Sequence, residues 1–228
     1  MRNFLILSII ATIVFFSCGQ ENRSPKDKIT TEIETLESIK TNEEPRSQDE
    51  NHKKFLDTEY RYNDNSGNRI IIQNSLPKGG LEYNDPNGEN YIYAIFWTRI
   101  INETNNPFEL SIEIPSSQFV HGLSFDNYFK IFVSNKEMDI DKLSLLNYGL
   151  RSLNDILDNN LQKPSSLQKT IMPNNISSFY FVTLFKRGLG GTVRAGLNVK
   201  NGNLFYKLNN TEIPAGQVNI KNLQLENE

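Results

Sequence analysis

The chain of 228 residues has one cysteine and two histidines, and each scarcity closes a route. A lone Cys18 excludes an intramolecular disulfide. Together with the widely separated His52 and His121 it cannot supply the four N/S ligands of a structural zinc site, so no metal and no cofactor are expected. An excess of either charge is missing too: 24 Lys+Arg stand against 27 Asp+Glu, for a net −3 and a pI near 5.6. Without a concentrated basic surface to neutralise phosphates, nucleic acid is not an expected partner. No G-x-S-x-G elbow occurs, and a nucleophilic triad would need a Ser and a carboxylate converging on His121, the one histidine outside the tether described below. The chain is therefore read as not an enzyme. The glycines of KRGLGGT (Gly188, Gly190, Gly191) are followed by no GK[ST], which makes them a hairpin loop between strands rather than a phosphate cradle. No repeat at a fixed period is visible.

What is present starts at the N-terminus. MRNFLILSIIATIVFFSC carries Arg2, an apolar run over residues 4–16 broken only by Ser8 and Thr12, and then small Ser17. Crossing the hydrocarbon core takes about 20 apolar residues, more than this run has, whereas a secretory signal fits it. Phe15-Phe16-Ser17-Cys18 resembles the lipobox of bacterial lipoprotein signal peptides, of the looser Bacteroidota type with Phe15 where Leu is usual. The resemblance implies a signal peptide over 1–17 and a diacylglycerol thioether plus N-acyl chain on Cys18. At about 0.8 kcal/mol per buried CH₂, several acyl chains anchor far more firmly than one. It further implies a bacterial cell-envelope location, with the membrane as partner through Cys18 and another envelope protein as a second partner. Surface-displayed lipoproteins of this type carry an acidic signal after the cysteine; residues 19–23 hold one acid, Glu21, so the periplasmic side of the outer membrane is expected.

Residues 18–66 read as a flexible acidic tether. Twelve acids face eight bases over 19–66, while residues 67–228 carry fifteen of each. Few apolar side chains precede Phe55, too few to offset the ordering entropy. Ile29, Ile33, Leu36 and Ile39 are spaced as one short amphipathic face, either a transient helix or one that pairs with a partner.

The domain is expected over 67–228 as a mostly β sandwich, with strands near 69–75, 91–102, 108–114, 128–134, 168–172, 178–186, 192–200, 203–208 and 217–223. PNNISSFYFVTLF resembles the turn-then-central-strand step late in immunoglobulin-like domains, which implies an immunoglobulin-like β-sandwich. The runs Tyr91–Trp97 and Phe179–Phe185 are apolar on both alternating faces, which places them centrally and covered on each side. Asn201-Gly202 predicts a two-residue type I′ hairpin. Its register sets Val199 opposite Leu204, Leu197 opposite Tyr206 and Ala195 opposite Leu208 on the core face, with Arg194, Asn198 and Lys207 on the solvent face. Leu143, Leu146, Leu150, Leu153 and Leu157 recur at helical spacing, predicting one α-helix over about 142–160, N-capped by Asp141 and inserted between strands.

Three further groups invite chemistry. Asp139 with Asp141, and Asp85 with Glu89, offer oxygen ligands for calcium, but neither matches an EF-hand loop and turn or cap duty is the competing role. Tyr60, Tyr62, Tyr83, Tyr91, Tyr93 and Trp97 would stack on sugars if exposed; the core competes for them. The function expected is a non-enzymatic protein-binding or scaffolding module, with glycan or small-molecule binding beside the inserted helix as the alternative.

Overall fold

The computed structural model describes residues 52–64, 66–67, 69–117, 119–120, 128–186 and 191–226. The signal sequence, Cys18, the tether up to residue 51, His121, Gly188 and Gly190 lie outside the described residues. Thirteen strands run in chain order: β1 (Leu56–Asn63), β2 (Arg69–Ser75), β3 (Lys78–Asn84), β4 (Asn90–Asn102), β5 (Phe108–Ile114), β6 (Phe119–Val120), β7 (Tyr128–Glu137), β8 (Ser165–Ile171), β9 (Ile176–Phe185), β10 (Ala195–Lys200), β11 (Asn203–Leu208), β12 (Thr211–Val218) and β13 (Gln224–Leu225). They form two antiparallel sheets: eight strands in the order β13-β1-β2-β4-β9-β7-β6 with β3 beside β4, and five in the order β10-β11-β12-β5-β8. The fold is a β-sandwich. An immunoglobulin domain has seven to nine strands and a buried Trp packed on a disulfide; thirteen strands and a Trp97 that faces away from the second sheet give that narrower likeness no support.

Strict alternation gives β4 and β9 two apolar faces. Ala94, Phe96, Ile100, Phe179, Phe181 and Phe185 point between the sheets, where they meet Leu197, Leu204 and Tyr206. Tyr91, Tyr93, Ile95, Trp97, Tyr180, Val182 and Leu184 point the other way and are covered by the connection between β7 and β8. The reading of two central, doubly covered strands holds. So does the hairpin: all six pairs from Lys200↔Asn203 to Ala195↔Leu208 occur in the expected register, with positive φ at Asn201 and Gly202.

The expected tether is too long by a strand. β1 lies within 18–66 because Tyr60 and Tyr62 alternate with Glu59 and Arg61, enough to dock one face on the inter-sheet core. β3, unforeseen, continues the line of β2 along β4 beyond Pro77: β2 pairs with Thr98–Asn102 and β3 with Asn90–Ile95. The expected strand at 217–223 is instead Thr211–Val218, and that at 192–200 begins only at Ala195. β9 and β10 belong to different sheets, so the hairpin expected between them around KRGLGGT is not formed and the chain crosses from one sheet to the other.

That crossing leaves β10 at an edge, and side chains of the larger sheet satisfy it. The Asn74 side chain accepts from Leu197 N (2.9 Å) and donates to Leu197 O (3.1 Å), and the Tyr62 hydroxyl accepts from Val199 N (2.9 Å). A Cβ at Gly196 would collide with Asn74, so glycine is required there. Asn198 is on the face opposite Leu197, as expected, but it is not solvated: it is 7% exposed and donates to Glu212 Oε1.

One α-helix is inserted between β7 and β8 as expected, but it covers only Leu153–Asn160 and not the whole of 142–160. The segment forms two short 3₁₀ turns, η1 (Ile140–Lys142) and η2 (Leu146–Gly149), and one α-helix, α1 (Leu153–Asn160). Asp139, not Asp141, is the first cap, accepting from Asp141 N. Asn147, Tyr148, Gly149 and Ser152 all take left-handed φ, which no continuous helix tolerates.

Candidate binding surface

Residues 138–164 form a strap across the outer face of the eight-stranded sheet. Its leucines divide: Leu143, Leu150, Leu153, Leu157 and Leu161 are buried on the sheet, whereas Leu145 is 49% and Leu146 72% exposed. Tyr148 causes the division. Its ring is fully buried, its hydroxyl donates to Leu76 O at 2.7 Å, and Tyr180 Oη donates to Tyr148 O at 2.9 Å. Drawing Tyr148 inward turns the backbone left-handed and throws the preceding leucines outward. Gly149 follows at φ +74, where a Cβ would meet the Lys142 side chain.

An irregular backbone laid on an apolar layer must find donors for its carbonyls. Lysines of the sheet provide them. Lys78 Nζ donates to Leu143 O (2.5 Å) and Leu145 O (2.6 Å), with its ammonium over the rings of Tyr148 (4.4 Å) and Phe55 (4.9 Å). Lys130, itself buried, donates to Leu161 O at 3.1 Å, and Lys136 to Arg151 O at 3.4 Å. Burial pushes the Lys78 and Lys130 amines below the usual lysine range. These lysines carried no periodic signal, so sequence reasoning missed them.

A cleft of about 580 Å³ opens beside the first turn of the strap, among Arg99, Glu137, Asp139, Ile140, Lys142 and Ile176. Asp139 pairs with Lys142 at 2.9 Å; that ammonium and the Asp141 N–H hold its carboxyl below the usual range. Arg99 donates to Gln73 Oε1 (3.3 Å), Gln73 donates to Glu59 Oε2 (2.7 Å), and His52 Nε2 lies 3.3 Å from the same Gln73 Oε1. Burial raises Glu59, but hydrogen bonds from Gln73 and Arg61 outweigh it and leave the carboxyl below its ordinary value. His52, assigned to the tether on sequence, is instead 3% exposed with its ring 6.3 Å from Trp97.

The sequence candidates do not converge. Asp85 is buried in its own turn, accepting from Asn87 N (2.9 Å) and Glu89 N (2.8 Å), while Glu89 pairs with Lys186. Asp139 and Asp141 belong to the strap; among the described residues no three His, Cys, Asp or Glu group as a metal site. Tyr62, Tyr83, Tyr91, Tyr93 and Trp97 are buried and Tyr60 half-buried, so they form core and no platform. The chain matches no protein-family model, no curated protein and no solved structure in the comparisons made with each.

Proposed function

We propose that this chain is an envelope lipoprotein, anchored through Cys18 to the periplasmic side of the outer membrane, whose sandwich docks another envelope protein without catalysing a reaction. The observation that carries the docking part is the exposure of Leu145 and Leu146 on a strap already immobilised by Lys78 and Tyr148. Leu81, 51% exposed, lies on the same sheet face: it is the cross-strand partner of Tyr93, whose hydroxyl accepts from Asn147, the neighbour of Leu146. Exposed leucines on a fixed backbone lose little further freedom on binding, which is how a small contact gains affinity.

The test uses the full chain in its own membrane, labelled metabolically with a fatty acid and carrying a photo-reactive residue at 146 or, as control, at 207. Label that disappears in Cys18→Ala and one discrete protein adduct from position 146 alone are expected. Label retained by Cys18→Ala would remove the anchor from the reading. The same adducts from both positions, or none, would remove the docking.

A further inference from the structure

The second surface lies on the opposite side of the sandwich, on the outer face of the five-stranded sheet, and goes beyond the docking reading. Register alone sets a row of side chains across four strands: Asn203 of β11 pairs with Gln217 of β12, Gln217 with Ser111 of β5, and Ser111 with Gln168 of β8. Cross-strand partners share a face, and the residues on the other side of each strand, Leu204, Val218, Ile112 and Leu167, are core. The row therefore points outward. It floors part of a groove of about 580 Å³ lined by Ser111, Gln168, Thr170 and Gln217 together with Glu109, Lys169 and Lys221.

Three observations narrow what the groove takes. First, the side chains of Gln217, Ser111, Gln168 and Thr170 make no hydrogen bond to any described residue, whereas neighbouring polar groups are engaged: Lys200 with Glu212 at 2.6 Å, Asn198 with Glu212, Asn219 with Glu109 N and Pro107 O. Amides and hydroxyls both donate and accept, as do the hydroxyls of a sugar. Second, the groove's own charges are of both signs, Lys169 and Lys221 against Glu109, so a strongly ionic ligand of either sign meets a like charge there. Third, strands lie about 4.8 Å apart, so Gln217, Ser111 and Gln168 present contacts at a spacing close to the repeat of an extended hexose chain, over about 10 Å. Phe205, half-buried, stands on the same face of β11 two residues from Asn203 and supplies one ring for a sugar's apolar side.

β12 is bent to make the row. The β11–β12 register shifts by a residue at Leu204/Phe205, and Gly216 sits at φ +124 against β5, where a Cβ would run into the Ser111 carbonyl. Only glycine lets the two backbones come together there.

We propose that this groove binds an extended, neutral oligosaccharide laid across the strands, with Gln217, Ser111 and Gln168 bonding successive sugars. The full chain in detergent is titrated calorimetrically with chitohexaose, which is extended, and with maltohexaose, which coils. Chitohexaose is expected to bind at millimolar Kd or tighter, and Gln168→Ala/Gln217→Ala to weaken it about tenfold or more at an unchanged melting temperature. Leu146→Ser is expected to leave the titration unaltered, so that the docking reading and this one can fail separately. Absence of heat with millimolar chitohexaose would overturn the proposal, as would equal binding of the two sugars or indifference to the double substitution. A discrete protein adduct from a photo-reactive residue at 168 would make the face a protein surface and overturn it equally.

Discussion

The eight-stranded sheet is covered on one face by another sheet and on the other by the strap, and β4 and β9 supply the apolar side chains to both layers. Between the sheets, backbone polar groups are satisfied by ladders, save at the β10 edge where Asn74 and Tyr62 serve, and the cover relies on the alternation of Leu197, Leu204 and Tyr206 against Phe96 and Phe181. Under the strap the apolar layer is comparable, with Trp97, Tyr148 and Leu157 fully buried. Yet its cover has no ladder, and individual side chains take over that duty: Lys78, Lys130, Lys136 and Tyr180 each donate to a strap carbonyl. A regular cover is redundant, since each backbone bond is one of many alike. A clamped cover concentrates its satisfaction in a few residues, and those few are where it breaks.

The largest expected effect asks whether the two layers are equal. Phe181→Ala empties a site between the sheets and Trp97→Ala one beneath the strap, both from fully buried positions; each is expected to cost about 3–5 kcal/mol in a urea melt. A Trp97→Ala loss below about half that of Phe181→Ala would mean that the strap closes over the gap, and the comparison would tilt toward a soft outer layer.

Next in size is the clamp. Lys78→Met keeps the apolar stem but removes the donor to two carbonyls, and is expected to cost about 2–3 kcal/mol. The sharper readout is hydrogen exchange: amides of residues 143–150 should lose protection while those of β10 and β11 keep theirs. Uniform loss across both layers would show that the strap does not open by itself.

The smallest effect at neutral pH is that of Tyr148→Phe, and its alkaline counterpart touches both layers. Burial pushes Tyr62, between the sheets, and Tyr148 and Tyr180, beneath the strap, up to about 12 from an ordinary 10.0. Between those two values the unfolded chain releases tyrosine protons that the native chain keeps, so stability is complete below pH 10 and declines as the pH rises toward 12. Tyr148→Phe should flatten that decline in a series of urea midpoints, while at neutral pH it loses the bond to Leu76 O, worth about 1 kcal/mol. A midpoint that stays level through the window in the native protein would mean that these hydroxyls reach solvent.

The strap is also where reading the residues failed, and Leu146 shows why. Five leucines at helical spacing predict a helix, but a stripe records only that a face is apolar, not that the backbone joining it stays helical. Tyr148 finds a fully buried slot with Leu76 O at its end, 72 residues away in the chain, and that outweighs the helix hydrogen bonds given up at Asn147 and Gly149. Asn198 failed by the same cause at smaller scale: its face was read correctly, but Glu212 of β12 lies over it. The polar row on the five-stranded sheet was invisible in sequence, because Ser111, Gln168 and Gln217 are unremarkable one at a time. Only register brings them into line.

By itself the sequence determined the β-sandwich class, the double-sided strands β4 and β9, and the β10–β11 hairpin to the residue. These rest on alternation and on turn stereochemistry at Asn201-Gly202, which act over a few residues and need no distant partner. The tertiary structure alone decided that β1 belongs to the folded body, that β9 and β10 part to different sheets, and that the leucine segment is a clamped strap. Each of these turns on a bond between residues far apart in the chain, 137 positions for Tyr62 and Val199 and 65 for Lys78 and Leu143. The free energy of such contacts exists only once the rest of the fold has brought the partners together.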